Sequence, residues 1–312
     1  MAWIDLHCDT IARLLEDRQA GGTDTLRRGP GGQVSLEKLR RSGSLLQTFA
    51  LFVDQGKTED PWGRFLELAD LFWQEAQANS DLLRPVLEAG DLEKARQAGQ
   101  IGALLTIEEG GVLGGAPDRL VQAHRRGVRL VTLTWNYPNQ LGYPNGMAGG
   151  LTPAGFAMVE EMEALRVLPD VSHLGDEGFW DLCRAAKRPF LASHSCCRAL
   201  WDHRRNLTDD MIRAIARRGG LVGLNFYARF LGPSSVTRTE DLARHLRHLI
   251  DVGGVQVAAL GSDFDGIDTP LDFGDAGDMD ALFRALDAAG FSPAEIEAVC
   301  WKNAWRFLRE TL

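Results

Sequence analysis

Five short stretches carry side chains that together could hold metal ions and move protons. They are "DLHCDT" (5–10), "LLTIEEGG" (104–111), "DVSH" (170–173), "FLASHS" (190–195) and "GSDFDG" (261–266). They supply His7, Asp9, Glu108, Glu109, His173, His194, Asp263 and Asp265. In an extended strand alternate residues share a face, so His7 and Asp9 point one way and Cys8 the other, toward packing. Imidazole nitrogens and carboxylate oxygens suit zinc or a similar divalent ion, and two His-bearing halves joined by one Glu would suit a pair of ions. Each motif alone is weak. Their weight lies in where they fall along the chain.

The elements that must position them can be read from apolar runs bounded by Gly, Pro and Asp. Strands are expected near Trp3–His7, Leu45–Val53, Ile101–Ile107, Arg129–Trp135, Val167–Ser172, Phe190–His194, Gly220–Phe226 and Gln256–Ser262. Segments of helical spacing lie between them, among them "PWGRFLELADLFWQEAQ", "TPAGFAMVEEMEAL" and "RTEDLARHLRHLIDVGG". Strands alternating with helices make a parallel sheet, and eight such units without a Gly-rich dinucleotide fingerprint favour a (β/α)8 TIM barrel over a doubly wound sheet. Nothing in the composition splits the chain, so residues 1–312 read as one barrel domain. In such a barrel chemistry sits at the carboxyl ends of the strands, and the first, third, fifth, sixth and eighth strands end on the residues named above. The Gly-rich stretch Asp17–Ser35 reads as a loop or lid after the first strand.

Composition narrows the partners. With 43 acidic against 34 basic residues the formal net charge is -9, spread along the chain, which speaks against nucleic acid. No basic segment with an apolar core opens the sequence and no stretch is apolar enough to span a bilayer, so the expectation is a cytoplasmic protein with no membrane partner. Cys8, Cys183, Cys196, Cys197 and Cys300 show no CxxC pairing and read as buried free thiols. His245 and His248, at a ligand-like spacing on one helix, lie among arginines and read as a helix face, while His124 near a helix end suits the helix dipole.

"DLHCDT", "TIEEGG", "DVSHLG", "SHSCCRALWDHRRN", "LVGLNFY" and "GSDFDG", in this order across nearly the whole chain, resemble the membrane dipeptidase (renal dipeptidase) family of zinc peptidases, within the amidohydrolase group of TIM barrels. The resemblance implies two zinc ions per chain: His7 and Asp9 on one, His173 and His194 on the other, Glu108 bridging. It implies Asp263 as catalytic acid/base, with Asp265 in support, and Arg205 of "HRRN" as the arginine that takes the substrate's carboxylate, leaving Arg204 as a surface arginine. A dipeptide substrate, tolerance of a C-terminal D-residue and a homodimer belong to the same implication.

One departure stands out. Where better-known members of the family end the fourth strand on "LTH", with a histidine that polarises the substrate carbonyl, this chain reads "LTWNYPN" and places Trp135 there. An indole offers a single N–H donor and exchanges no proton. Asn136 or Tyr137 could supply a donor, so Trp135, Asn136 and Tyr137 are candidate substrate contacts. The departure keeps open a second reading, an amidohydrolase acting on an N-acyl amino acid or a lactam. A third is a barrel that binds without catalysis.

Overall fold

The computed structural model describes residues 1–312. Its strands are β1 (Trp3–Cys8), β2 (Ser44–Phe52), β3 (Leu83–Pro85), β4 (Ile101–Glu108), β5 (Val128–Thr132), β6 (Leu168–Asp170), β7 (Leu191–Ser195), β8 (Leu221–Leu224) and β9 (Ala258–Leu260). All pair in parallel, in the order β2-β1-β9-β8-β7-β6-β5-β4, and a β2–β4 ladder from Leu46↔Gly102 to Phe52↔Glu108 closes the ring. Eight strands therefore form a (β/α)8 barrel, as the alternating pattern predicts. The ninth, β3, was not foreseen; it lies along the amino-terminal part of β4, ahead of where β5 pairs.

Several strands are shorter than expected. The fourth barrel strand ends at Thr132 rather than Trp135, because the backbone N–H of Trp135 turns away to the Glu109 carboxylate at 3.0 Å. The last barrel strand spans only Ala258–Leu260, and its continuation carries the aspartates through a turn instead of a ladder.

The core has two parts. Outside the barrel, Trp3, Cys8, Phe49, Phe65 and Phe72 belong to a large apolar cluster between strands and helices. A second cluster draws on all eight barrel strands: Ile4 and Leu6, Leu46, Leu104, Leu130, Leu168, Leu191, Leu221 and Ala259. Ala304, Trp305 and Leu308 of the last helix, Asn303–Thr311, join it. This is the filled interior expected of such a barrel, and it forms a floor below the strand ends.

Between floor and strand ends lie two fully buried aspartates. Asp170 accepts from Thr132 Oγ1 (2.8 Å), Ser193 Oγ (2.5 Å), Ser172 N (2.9 Å) and Ser193 N (2.9 Å). Asp5 accepts from Gln47 Nε2 (2.8 Å), Ser262 N (2.7 Å) and Ser262 Oγ (2.6 Å). Buried carboxylates are tolerated only when their lone pairs are satisfied, and here each one ties neighbouring strands together below the site. Burial still outweighs those bonds at Asp5, whose pKa is raised.

The Gly-rich stretch is an anchored plate rather than a lid. Leu26 and Val34 are buried in the outer core. Gln33 and Asp265 bond reciprocally, Gln33 N to Oδ1 at 2.5 Å and Asp265 N to Gln33 Oε1 at 2.7 Å.

Candidate metal centre

Each ligand candidate is delivered by the end of a strand. His7 is the penultimate residue of β1, and Asp9 follows as the N-cap of helix Thr10–Gln19, yet its carboxylate makes no capping bond. An N-cap aspartate ordinarily satisfies the first free N–H groups of its helix. This one stands 3.5 Å from His7 Nε2 instead. Glu108 ends β4, and its two oxygens part company: Oε2 lies 3.3 Å from His7 Nε2, while Oε1 lies 3.2 Å from His173 Nε2 and 3.5 Å from His194 Nε2. Asp263 brings Oδ1 to 4.0 Å from His7 Nε2.

Second partners fix which nitrogen of each imidazole faces the cluster. Ser193 gives its hydroxyl proton to Asp170, so its oxygen accepts from His194 Nδ1 at 2.8 Å. His173 Nδ1 donates to Asn136 Oδ1 at 3.2 Å. With both Nδ1 atoms used as donors, both Nε2 atoms carry lone pairs, and these face each other at 3.1 Å. Two lone pairs so placed repel unless a cation lies between them. A tetrahedral ion bonded at about 2.0–2.1 Å requires donors about 3.3 Å apart, the spacing found throughout this cluster.

Charge gives the same answer. Burial and the neighbouring Glu108 push the Asp9 carboxyl well above its ordinary range. Burial likewise lowers His173, to about 4, and His194 well below the usual imidazole value, which keeps both neutral and able to ligate. His7 goes the other way: burial opposes its charging, but Glu108 and Asp9 together outweigh burial and raise it well above the ordinary value. A cluster that draws a proton onto a fully buried imidazole is one that favours positive charge.

The backbone is shaped for the same purpose. Of five non-glycine residues with positive φ, four are Glu109 (82°), His173 (68°), Asp263 (63°) and Asp265 (64°), all at this site. Glu109 does not join the ligands. Its carboxylate accepts from Trp135 N, Gly111 N (2.7 Å) and Asn139 Nδ2, holding the loop after β5. Gly266 closes the centre from above, where an added Cβ would stand 2.2 Å from Asp9 Oδ2.

A cavity of about 450 Å³ opens over the cluster. Arg205 lines it and is buried, donating from Nη2 to the backbone oxygen of His194 at 3.2 Å, with Nε unpaired and its guanidinium 5.3 Å from the Phe230 ring centroid. Arg204 is exposed. Trp135 and Asn136 reach the cavity wall, Trp135 packing on Phe52 with centroids 4.8 Å apart. Tyr137 is not among the lining residues; it is exposed and stands edge-on behind Trp135, 5.7 Å away. His245 and His248 lie away from the centre. His245 is fully buried rather than on a solvated face, accepting from Cys197 N at 3.1 Å and donating to Leu231 O at 3.1 Å, while His248 pairs with Asp209. The five cysteines are free and buried.

Sequence reasoning did not single out Asp5, Asp170, Ser193, Gln33 or Asn225, whose side chains hold the strand ends in place. An aspartate inside an apolar run, as in "WIDLH" and "VLPDV", was the available signal for the first two.

Comparison with known proteins agrees with this geometry. The membrane dipeptidase family (peptidase family M19) matches residues 1–312. A crystal structure described as a dipeptidase and metallopeptidase of that family superposes with a TM-score of 0.93 at 28% identity, covering 100% of this chain and 98% of that one. A metallopeptidase from Rhodobacter sphaeroides, solved with a phosphinate mimic of the dipeptide L-Ala-D-Ala, gives 0.92 at 28% identity, covering 100% and 99%. An uncharacterised Klebsiella pneumoniae protein is 34% identical over 261 residues, 77% of this chain and 96% of its own length. No helix is long and apolar enough to cross a membrane. A parallel barrel matched along its whole length, with side chains suited to metal ions gathered at its strand ends, makes this chain a metallopeptidase of the membrane dipeptidase family.

Proposed function

We propose that the chain, acting as one domain over residues 1–312, hydrolyses dipeptides with two zinc ions held at this centre: His7 and Asp9 on one, His173 and His194 on the other, Glu108 shared. The carrying observation is that the two oxygens of Glu108 address the two histidine groups separately, at 3.3 and 3.2 Å. When bound, such ions supply Lewis acidity, making water available as a nucleophile near neutral pH and polarising the scissile carbonyl.

The protein's own groups supply the rest. Arg205 binds the substrate's free carboxylate, which its planar fork fits, and so fixes the distance from the C-terminus to the bond that is cut. Asp263 takes a proton from the attacking water and returns it to the leaving amine, as one carboxylate can do in both directions. Asn136 holds His173 in its ligating tautomer through Oδ1, which leaves Nδ2 at the cavity wall as a donor for substrate. Trp135 and Phe52 line the cavity, with the Trp135 ring 6.1 Å from that of His173.

The test is metal analysis combined with a screen of L-Xaa-L-Xaa and L-Xaa-D-Xaa dipeptides. About two zinc ions per chain and dipeptide cleavage are expected. Trp135 at the cavity wall favours one second reading, an amide such as an N-acyl amino acid. Zinc retention without cleavage of any dipeptide would select it.

A further inference from the structure

We propose that Asn225 is a positioning residue for proton transfer: it commits Oδ2 of Asp263 to accepting a hydrogen bond and leaves Oδ1 as the one oxygen that takes up and returns the proton. The inference rests on the reading above, in which Asp263 is the acid/base.

Asn225 follows directly on β8 and is fully buried. Its amide can be oriented in one way only. Oδ1 accepts the backbone N–H of Tyr227 at 2.6 Å, and a backbone N–H has no other role than donor. Nδ2 must therefore be the atom turned to Asp263, where it donates to Oδ2 at 2.9 Å. The other oxygen faces the metal centre. Oδ1 is the atom 4.0 Å from His7 Nε2, and a Cβ on Gly266 would lie 2.7 Å from it and 2.2 Å from Asp9 Oδ2, so the two carboxylate oxygens share one small space.

With Oδ2 already accepting this N–H and Oδ1 facing the centre, Oδ1 is the oxygen placed to meet the reacting water. In the first step an O–H bond of the attacking water breaks as an O–H bond forms on Oδ1, and in the second that bond breaks as an N–H bond forms on the leaving amine. Asp263 ends as the carboxylate it began. No rotation of the carboxyl group is needed between the steps, because uptake and return use the same atom.

The experiment compares wild type with Asn225→Ala and Asn225→Leu on whichever substrate the wild type cleaves best in a panel of dipeptides and N-acyl amino acids. Asn225→Leu nearly keeps the side chain's shape and removes the donor without adding a titratable group beside Asp263, so it tests the proposal even where Asn225→Ala does not fold. We expect metal content unchanged, KM within about threefold and kcat reduced at least about tenfold in each folded variant. A kcat within about threefold of wild type in either folded variant overturns the inference, as does a loss of kcat that tracks loss of metal. Failure of the dipeptide reading would appear elsewhere, in a wild type whose preferred substrate is not a dipeptide.

Discussion

Gly266 presses on Asp9 so closely that a Cβ added to it would stand 2.2 Å from Oδ2, a distance no carbon can hold. The flexible end of a side chain can give way to such a contact, but this carboxylate is one of the groups proposed to hold a metal, and its place matters. Gly266→Ala is therefore expected to lower kcat/KM by about 100-fold, the scale of an ångström's misplacement. Zinc retention measured after dialysis should fall with it. An alanine variant of normal activity would mean that Asp9 can move without consequence.

Arg205 predicts a specific pattern of kinetic loss. Arg205→Ala should raise KM for dipeptides by about 30- to 100-fold, the scale of a charge-assisted bond pair. The effect should be small for an analogue whose C-terminal carboxylate is amidated. Arg205→Lys should recover only part of the loss, because an ammonium cannot present two parallel donors. Equal penalties on both substrates would remove Arg205 from the carboxylate's site.

Trp135 stands at the cavity wall on Phe52, a contact worth about 0.5–1.5 kcal/mol beyond the area it buries. Trp135→His should keep both metals and change the order of preference within a dipeptide panel. An unaltered ranking would place the indole outside the reach of the substrate.

Asp170 joins the fourth to sixth barrel strands through Thr132, Ser172 and Ser193, and through Ser193 it fixes the ring of His194. Asp170→Ala would leave those donors unpaired in the core. A cost of roughly 3–5 kcal/mol is expected in chemical denaturation, together with weaker zinc binding. Stability within about 1 kcal/mol of wild type would show that water replaces the carboxylate.

His245 links stability to pH away from the metals. Burial lowers its pKa to about 4, against about 6.5 in the unfolded chain. The unfolded state thus binds the proton first as pH falls. The stabilisation is complete above about pH 6.5 and is lost between there and about pH 4, to a total of about 3 kcal/mol. His245→Gln retains an acceptor and a donor without titrating, so the wild-type minus variant stability should shrink across that window. A difference independent of pH would contradict the assignment.

The residues that cluster at the candidate site were legible in the sequence because a barrel confines chemistry to strand ends, and histidines at the ends of apolar runs are conspicuous there. The apolar alternation that reveals strands does not say where a ladder stops. Trp135 was read as strand because it closes the run "RLVTLTW"; Glu109 draws its N–H out of the sheet, and only folding brings the two together. The Gln33–Asp265 pair, 232 positions apart, has no local signature at all. His245 lies on a helix away from the centre, as its spacing among arginines suggests, but its enclosure between Cys197 and Leu231 has no local signature either.

The floor built from side chains of every barrel strand, sealed by helix Asn303–Thr311, makes the cavity blind. A peptide cannot thread through it. Both products must leave by the mouth through which the substrate came, so release and entry share one route, however fast the bond is cut.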